Sequence, residues 1–500
     1  MAAAGDAGTA SSAATSASDA TVAMPVRKGR ARGTEAPTDV EHGTWALERA
    51  PYHRSTTSTA PQGRRAGAER STRASDRPVP ELLATGPRVA SVAPPPGAFG
   101  APVSVTVRPL VADDREVVHH LALRAFSPTP GEAYDADRPR VDDDRRLVAE
   151  LDGRVVGHLA AWALGHHLGG PPLPTAGISA VVVAPEARRA GVGGALLRAG
   201  LDAARGRGEP LATLFPLTRH VYRRHGFELA GTWPRVELAV AALTTLPRPE
   251  DLGAPVTTTP GRDDDVAACL ALEQRQVAEE AAAGLVRPPA FGRRALAPGQ
   301  HGALVLAHRG DELVGYLAYD HAPARDPHEL YRLEVRELVA VDAATRAALW
   351  RVVGSSASAA RTVTATVAPE DPLHLWLPEQ ATTEVPTAWR WMLRLLDPAG
   401  AVAGRRWPEH LDVAVPLRIE GPDGATEDRV LELRDGTGHL GDGGDGRVEV
   451  DLAALATWFT GYQSATRLAS VGRLRGATAA DLAALDAATR GPAPWVRSFF

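Results

Sequence analysis

The sequence predicts an α/β protein of several domains, and three features carry this prediction. An apolar, β-branched run from Ile178 to Val183 is followed at once by a glycine-rich turn and an apolar-periodic helix. Residues 149–160 align without gaps with residues 307–318, which indicates a β-hairpin that is used twice. After about residue 410 the pattern changes to short strands followed by amphipathic helices. We therefore expect two similar α/β units followed by one α+β unit.

The turn after the buried strand has the pattern Arg-x-x-Gly-x-Gly, with Arg188 ahead of Gly191 and Gly193. Pro185 ends the strand, and the helix begins near Val192. Glycines let the backbone approach a phosphate, and the first N–H groups of a helix attract anions. The pattern fits neither a Walker loop nor the Rossmann glycine spacing. It predicts an anion site; the alternative is an ordinary strand–turn–helix connection with glycines for close packing.

A second motif lies downstream, between Leu214 and Leu229. This segment predicts the end of a strand, a short helix and a turn at His225-Gly226-Phe227. Tyr222 lies four residues before Gly226. The tyrosine is either a functional hydroxyl beside the turn or a packing residue, and the local sequence alone does not separate the two.

Composition excludes several function classes. The net charge of −5 does not indicate nucleic-acid binding. Cys269 is the only cysteine, so no intramolecular disulfide or cysteine zinc cluster is expected, and its apolar surroundings predict a core residue. The pairs His119-His120 and His166-His167 are sequence neighbours rather than one-face helix pairs, so no metal site is expected. Without a long apolar run or a signal peptide, we expect no membrane span and a cytoplasmic location.

The chain divides into four regions. Residues 1–102 are rich in Ala, Ser, Thr, Pro, Gly and Arg and have few large apolar residues, so we expect a disordered tail. A regulatory tail and a misassigned start codon both agree with this composition. The three predicted domains are residues 103–250, 251–408 and 409–500.

Hydrophobic periodicity predicts the elements of each domain. In the first domain the expected strands are 103–110, 146–151, 155–164, 178–183, 211–215 and 235–241, and the helices are 113–126 and 192–205. In the third domain the expected strands are 411–419, 429–434 and 448–451, and the helices are 452–462, 464–471 and 479–488. In the second domain, residues 335–350 repeat the strand and helix of the glycine motif, but Thr345-Arg346-Ala347-Ala348 replace the glycines. Those side chains would crowd a phosphate, so no second active site is expected.

These motifs resemble those of the GNAT N-acetyltransferases, in which the glycine loop holds the pyrophosphate of acetyl-CoA and a tyrosine precedes a Gly-Phe turn. An active GNAT domain, a degenerate GNAT domain, a sterol-carrier-like domain and a terminal phenylalanine resemble, in this order, the Eis (enhanced intracellular survival) N-acetyltransferases of actinobacteria. The resemblance covers about residues 103–500. It implies transfer of acetyl from acetyl-CoA, the co-substrate, to primary amines of polyamines, aminoglycosides or lysine side chains. It also implies a homohexamer, with no metal.

The same resemblance implies roles for individual residues. Val181, Val182 and Val183 would present a strand edge to acetyl-CoA, where a backbone N–H can polarise the thioester carbonyl. The loop that holds the pyrophosphate would comprise Arg188, Arg189, Ala190, Gly191, Val192, Gly193 and Gly194, and Leu217 and Thr218 would also touch the cofactor. Tyr222 would be the general acid and the C-terminal carboxylate of Phe500 the general base. A base is needed because an alkyl ammonium has a pKa of roughly 10 and attacks only when unprotonated.

One departure from the family pattern concerns the acceptor. An acidic residue often precedes the terminal phenylalanine in this family, whereas Phe499 stands there in this chain. An acidic site for polycations would need Asp135, Asp137 or the run Asp142–Asp144, whose simpler interpretation is a solvated loop. Hydrophobic amines are therefore an alternative acceptor class. A different alternative is a non-catalytic lipid or acyl-CoA binding protein built on the third domain, against which the intact glycine loop argues.

Overall fold

The computed structural model describes residues 104–126, 141–253, 255–296, 302–325, 327–377, 382–384 and 389–500. The predicted tail of residues 1–102 and the candidates Asp135 and Asp137 lie outside the described residues. Among the described helices, none is long and apolar enough to cross a membrane.

The first part of the described chain alternates strands and helices, as its periodicity predicts. Its elements are β1 (Thr106–Pro109), α1 (Asp114–Phe126), β2 (Arg146–Leu151), β3 (Arg154–His166), β4 (Leu173–Val183), α2 (Val192–Gly206), β5 (Leu211–Leu214), α3 (Arg219–Arg223) and β6 (Glu228–Trp233). The helix α2 buries Leu196, Leu197 and Leu201, which lie on one face of the helix and pack on β3 and β4.

The second part repeats this alternation. Its strands are β7 (Arg235–Ala239), β8 (Thr257–Pro260), β9 (Leu285–Val286), β10 (Gly302–Arg309), β11 (Glu312–Ala322), β12 (Arg332–Ala340), β13 (Thr362–Thr366), β14 (Thr382–Glu384) and β15 (Trp389–Leu395). Its helices are α4 (Val266–Glu280), α5 (Pro289–Leu296), α6 (Ala343–Gly354) and α7 (Leu373–Trp376). Cys269 is buried on α4, as predicted for a core residue, and burial raises the pKa of its thiol to about 12.

The two large sheets exchange strands across the predicted domain boundary at residue 250: the first sheet takes β9 and β15 from the second domain, and the second sheet takes β7 from the first. The first sheet has the order β1-β2-β3-β4-β5-β15-β6, with β9 on β3, and the second has the order β14-β7-β13-β12-β11-β10-β8. The strand expected at 235–241 to close the first set therefore exists as β7, but it belongs to the second sheet. The alternation of buried Val236 and Leu238 in β7 fits either sheet, so periodicity does not tell to which sheet the strand belongs.

The predicted repeat of a hairpin is confirmed. The strands β2–β3 and β10–β11 are both antiparallel hairpins, with a register shift after Ala149 in one and after the aligned Ala307 in the other. The shared glycines have a packing role: a methyl group on Gly157 would lie 2.9 Å from Leu196 of α2, and one on Gly315 would lie 2.5 Å from Thr345 of α6. Each helix can therefore pack directly against its strand.

The third part is an α+β unit. It contains α8 (Pro398–Gly404), β16 (Asp412–Glu420), β17 (Thr426–Arg434), β18 (Thr437–Asp442), β19 (Val448–Asp451), α9 (Leu452–Phe459), α10 (Ala465–Ser470), β20 (Leu474–Arg475) and α11 (Ala479–Ala488). The sheet order is β18-β17-β16-β19-β20. Alternate residues of β16 are buried, and the aromatic rings of Trp407, Trp458 and Phe459 pack together in the core.

Candidate active site

The two parallel strands β4 and β5 separate along their length. They pair only where Thr175–Gly177 face Leu211–Thr213. Within the described residues, the rest of β4, from Ile178 to Val183, has no strand on that edge. Its backbone groups are therefore available to a ligand, and this stretch contains the predicted contacts Val181, Val182 and Val183.

A β-bulge lies in this free part of β4. Val182 pairs with His158 and Ser179 with Ala160, so Ala180 and Val181 together oppose one residue, and Ala180 has a φ of +47°. His158 contacts the bulge: the residue is 3% exposed, and its Nδ1 lies 3.2 Å from the Ala180 carbonyl oxygen.

Acid is expected to destabilise the protein through His158. Burial, with the charge of Arg146, lowers the pKa of His158 to about 3, whereas the unfolded side chain has a pKa of about 6.5. Between these values the unfolded chain binds one proton more, so the free energy of unfolding falls as the pH falls, by about 1.4 kcal/mol per pH unit. Unfolding in urea at pH 7 and pH 5 should show this loss.

His158→Gln should reduce that pH slope, because glutamine cannot take up the proton. The surface substitution His120→Gln is the matched control and should leave the slope unchanged. Equal slopes in wild type and His158→Gln would contradict the assignment.

The loop between β4 and α2 provides donors at a helix start. Gly191 has a φ of +80° and supplies no capping side chain. The first helical hydrogen bond runs from the Ala195 N–H to the Gly191 carbonyl oxygen, at 3.0 Å. The N–H groups of Val192, Gly193 and Gly194 therefore lie ahead of the helical ladder and are free to bind an anion.

Space and charge at the loop also fit a pyrophosphate. A methyl group on Gly191 would meet nothing within 4 Å, so the space beside this turn is open. Arg188, Arg189 and Ala190 are exposed beside it, and Val192 is buried and fixes the helix start. Leu217 is 63% exposed and Thr218 precedes α3, so both follow β5 at the open end of the separated strands.

Gly191→Ala is expected to weaken CoA binding by about fivefold to tenfold. A left-handed backbone costs a residue with a Cβ roughly 1–2 kcal/mol, and a shift of the loop misdirects the N–H groups. Isothermal titration of CoA measures the effect. Gly206→Ala at the end of α2, where a methyl group also has open space, is the matched control and should bind CoA like wild type. Unchanged affinity in Gly191→Ala would contradict a phosphate site on this loop.

Tyr222 lies on α3, half-buried against the first domain's core. Its ring packs edge-on against Phe227, at 6.1 Å between centroids, and the Phe227 N–H donates to the Tyr222 carbonyl oxygen. Among the described residues its hydroxyl has no hydrogen-bond partner. Burial raises the pKa of Tyr222, which keeps the hydroxyl protonated at neutral pH.

The C-terminal tail lies along β6, and its end is fixed. The Thr232 N–H donates to the Pro494 carbonyl oxygen and the Val496 N–H to the Thr232 carbonyl oxygen, at 3.1 and 3.0 Å. The Trp233 indole N–H donates to the Arg497 carbonyl oxygen at 3.2 Å. The Phe500 ring lies 5.2 Å from that of Phe215, the residue directly after β5. The chain end therefore stands beside the point where β4 and β5 separate.

A buried ionic network in the second domain also holds the tail. Arg287 is 3% exposed in its side chain and forms ion pairs with Glu273 and Glu337, at 3.0 and 2.7 Å. Its Nη1 donates to the Ser498 hydroxyl at 2.6 Å. Burial raises the pKa of Glu273, and the Arg287 charge opposes that shift. The second domain, which lacks the glycine loop, therefore positions the tail that carries Phe500.

The surroundings of the chain end are aromatic. Phe499 stacks on Phe215 at 4.3 Å, and its ring centroid is 5.5 Å from that of Trp233 and 5.6 Å from that of Trp389. Within the run Asp142–Asp144, Asp143 is paired with Arg115 and Arg146, which lower its pKa. The Asp143 carboxylate therefore already has two arginine partners within the fold.

The helix α6, which follows β12 in the second domain as α2 follows β4 in the first, lacks a free N-terminus. Asp342 caps α6, and its carboxylate accepts the Thr345 N–H at 2.8 Å. A carboxylate thus occupies the position that a phosphate would take. The reason differs from the one expected from the sequence, because Thr345, Ala347 and Ala348 are buried in the core instead of crowding the loop.

Comparison with known protein families identifies these units. A family described as an acetyltransferase (GNAT) domain matches residues 106–230, a second GNAT family matches residues 284–395, and a sterol carrier protein domain matches residues 398–497. The chain is a tandem GNAT N-acetyltransferase. The predicted fold class, two GNAT domains followed by a sterol-carrier-like domain, is confirmed. GNAT enzymes use acetyl-CoA, for which the open loop at Gly191 has the required donors.

Known relatives cover most of this GNAT enzyme. An uncharacterized N-acetyltransferase of Streptomyces griseus is 28% identical over 74% of this chain and 93% of its own length. The crystal structure of a GCN5-related N-acetyltransferase from Kribbella flavida is 29% identical and covers 80% of this chain and 99% of its own, with a TM-score of 0.67. Eis1 from Mycobacterium abscessus shares the fold at 22% identity, over 79% of this chain and 100% of its own, with a TM-score of 0.64.

The local sequence does not reveal the roles of several residues of the site. His158 and Arg287 act through contacts with residues far along the chain, and no local pattern marks them. Asp342 had a signal, since an aspartate three residues before Thr345 is a typical helix cap. Within the described residues, no group of three or more His, Cys, Asp or Glu is arranged to hold a metal ion.

Proposed function

We propose that this GNAT enzyme is of the Eis type and acetylates primary amines, with Tyr222 as the general acid and the Phe500 carboxylate as the general base. The observation that carries the proposal is the fixed chain end beside the separated strands β4 and β5. A terminal carboxylate is otherwise mobile, and a general base must lie within hydrogen-bond reach of the proton that it takes, directly or through one water.

The proposed reaction follows from these groups. The Phe500 carboxylate accepts a proton from the amine, and the freed nitrogen attacks the thioester carbonyl. A backbone N–H on the edge of Val181 to Val183 stabilises the negative charge that develops on the carbonyl oxygen. As the carbon–sulfur bond breaks, the Tyr222 hydroxyl donates its proton to the leaving sulfur, and the second proton that the acetylated nitrogen loses restores the hydroxyl.

Polyamines, aminoglycosides and lysine side chains carry suitable primary amines. The rings of Phe215, Phe499 and Trp389 lie beside the chain end, where an acidic residue would favour a polycation. We therefore expect an acceptor with an apolar body, such as an arylalkylamine, to have the lowest KM. The alternative of a non-catalytic lipid or acyl-CoA binding protein predicts no turnover with any amine.

The Eis type also implies a homohexamer. Light scattering of the purified protein should then give a mass about six times that of the 52.6 kDa chain. A monomer with full activity would contradict the hexamer and leave the catalytic proposal unaffected.

Acetyl-CoA-dependent release of free thiol tests the function. The protein is used with a free C-terminus, against arylalkylamines, polyamines, aminoglycosides and a lysine peptide. Turnover with any amine supports the proposal, and the ranking of kcat/KM identifies the acceptor class. CoA binding without turnover on the whole panel would contradict it and favour the non-catalytic alternative.

A further inference from the structure

A cleft of about 550 Å³ lies where three parts of the chain meet. Its walls come from α2, from the end of β15 with the start of α8, and from the turn between β16 and β17. It does not include Tyr222 or Phe500 among its lining residues. The reaction proposed above therefore leaves this cleft without a role.

One wall of the cleft is a buried cation without a carboxylate partner. Arg394 is 7% exposed, its Nη1 donates to the His225 carbonyl oxygen, and its Nε has no hydrogen-bond partner. No described carboxylate forms an ion pair with it. Burial and the nearby Arg205 lower the pKa of Arg394 to about 10, so it is still charged at neutral pH. Removing a guanidinium from water without a counter-ion is costly, which indicates an anion that is supplied from outside.

The acidic residues that line the cleft are already engaged. Asp202 pairs with Arg205 at 2.7 Å, and Glu427 pairs with Arg429 at 2.7 Å. Asp397 accepts the Gly400 N–H at the start of α8, and Asp423 accepts the Ala425 N–H. By contrast, Arg198 and Arg224 also line the cleft and form no ion pair with a described carboxylate. The lining thus carries five arginines against four carboxylates, and its net charge is positive.

The cleft adjoins the glycine loop. A methyl group on Gly194 would lie 3.4 Å from Nη1 of Arg198 and 4.0 Å from Nε2 of His225, and both side chains line the cleft. An anion bound at Arg198 would thus stand next to a pyrophosphate bound at the start of α2. Guanidinium groups are suited to phosphate because their N–H fork matches two oxygens at once.

We propose that this cleft binds a phosphate monoester, held by Arg394 and Arg198. Two sources carry that chemistry: the 3′-phosphate of CoA, and a separate phosphorylated small molecule. The first source rests on the proposed function, because it requires CoA on the glycine loop. The second does not. In either case the sterol-carrier-like domain contributes a wall of the site and thereby takes part in ligand binding.

Binding of CoA and of dephospho-CoA, which lacks only the 3′-phosphate, separates the sources. Titration calorimetry is done on wild type, Arg198→Met and Arg394→Met, with Arg434→Met as a surface control remote from the cleft. Arg198 is exposed, so its substitution tests the site even where Arg394→Met fails to fold. The thermal shift caused by inorganic phosphate is measured on the same proteins.

We expect wild type and Arg434→Met to bind CoA about tenfold more tightly than dephospho-CoA, and this ratio to approach one in Arg198→Met. A ratio near one in wild type, together with a phosphate-induced rise in Tm that Arg198→Met lacks, would assign the site to a separate phosphorylated ligand. If wild type binds CoA and dephospho-CoA equally and phosphate causes no rise in Tm that depends on Arg198, the proposal is overturned. Absence of CoA binding in wild type would contradict the proposed function, and the phosphate experiment would then decide the cleft alone.

Discussion

Tyr222→Phe is expected to lower kcat by about 100-fold or more, because general acid catalysis by a positioned side chain contributes roughly that factor. The substitution removes one oxygen atom and keeps the ring that packs on Phe227, so folding and the dissociation constant of CoA should be unchanged. The measurement is kcat with the best amine, together with titration of CoA.

Tyr462→Phe in the third domain is the matched control, and it should keep the wild-type rate. The pH profile adds a second readout. Because burial raises the pKa of Tyr222, the loss of wild-type kcat that accompanies deprotonation of the hydroxyl should come only at high pH, and Tyr222→Phe should lack this alkaline limb. Equal turnover in wild type and Tyr222→Phe would exclude the hydroxyl as the acid.

One glycine appended after Phe500 is expected to lower kcat by about 100-fold or more. The addition keeps the Phe500 ring against Phe215 but converts its carboxylate into an amide, which cannot accept a proton from the amine. The new carboxylate stands one residue further on, about 3.8 Å away. A glycine added at the N-terminus is the control for chain length. A C-terminally extended enzyme with normal kcat would refute the role of the terminal carboxylate.

Ser498→Ala separates the effect of the tail's position on kcat from the effect of the terminal carboxylate. The substitution removes the hydrogen bond from Arg287 and leaves the terminal carboxylate intact. We expect kcat to fall by about tenfold, the lower end of what one hydrogen bond to a charged group accounts for, while CoA affinity stays the same. A rate as low as that of the extended chain would place the hydroxyl in the chemistry itself.

The elements that local sequence specifies were predicted well. The strand, glycine loop and helix around Gly191 follow from residues that are neighbours along the chain, and the structure has the helix at Val192–Gly206. The helices Leu452–Phe459 and Ala479–Ala488 were likewise visible in their apolar periodicity. Their physical basis is local, since a helical face needs only correctly spaced apolar residues.

Contacts between distant segments were not predictable in the same way. The partner of β7 is decided by pairing across more than a hundred residues, and periodicity carries no information about it. The short strand β18 was missed because its sequence, Thr-Gly-His-Leu-Gly-Asp, has little β-branched or apolar character. Arg394 is one arginine among many in the sequence until the fold buries it without a carboxylate partner.

The exchange of β7 and β15 has a consequence for synthesis on the ribosome. The first sheet has a gap between β5 and β6 until residues 389–395 have emerged, and β15 fills that gap directly beside Phe215. Domains of most proteins fold one after another as they are made, N-terminal first. Here the nascent first half must wait, with an unpaired strand edge, for the end of the second, and neither half can be transplanted into another gene as a complete module.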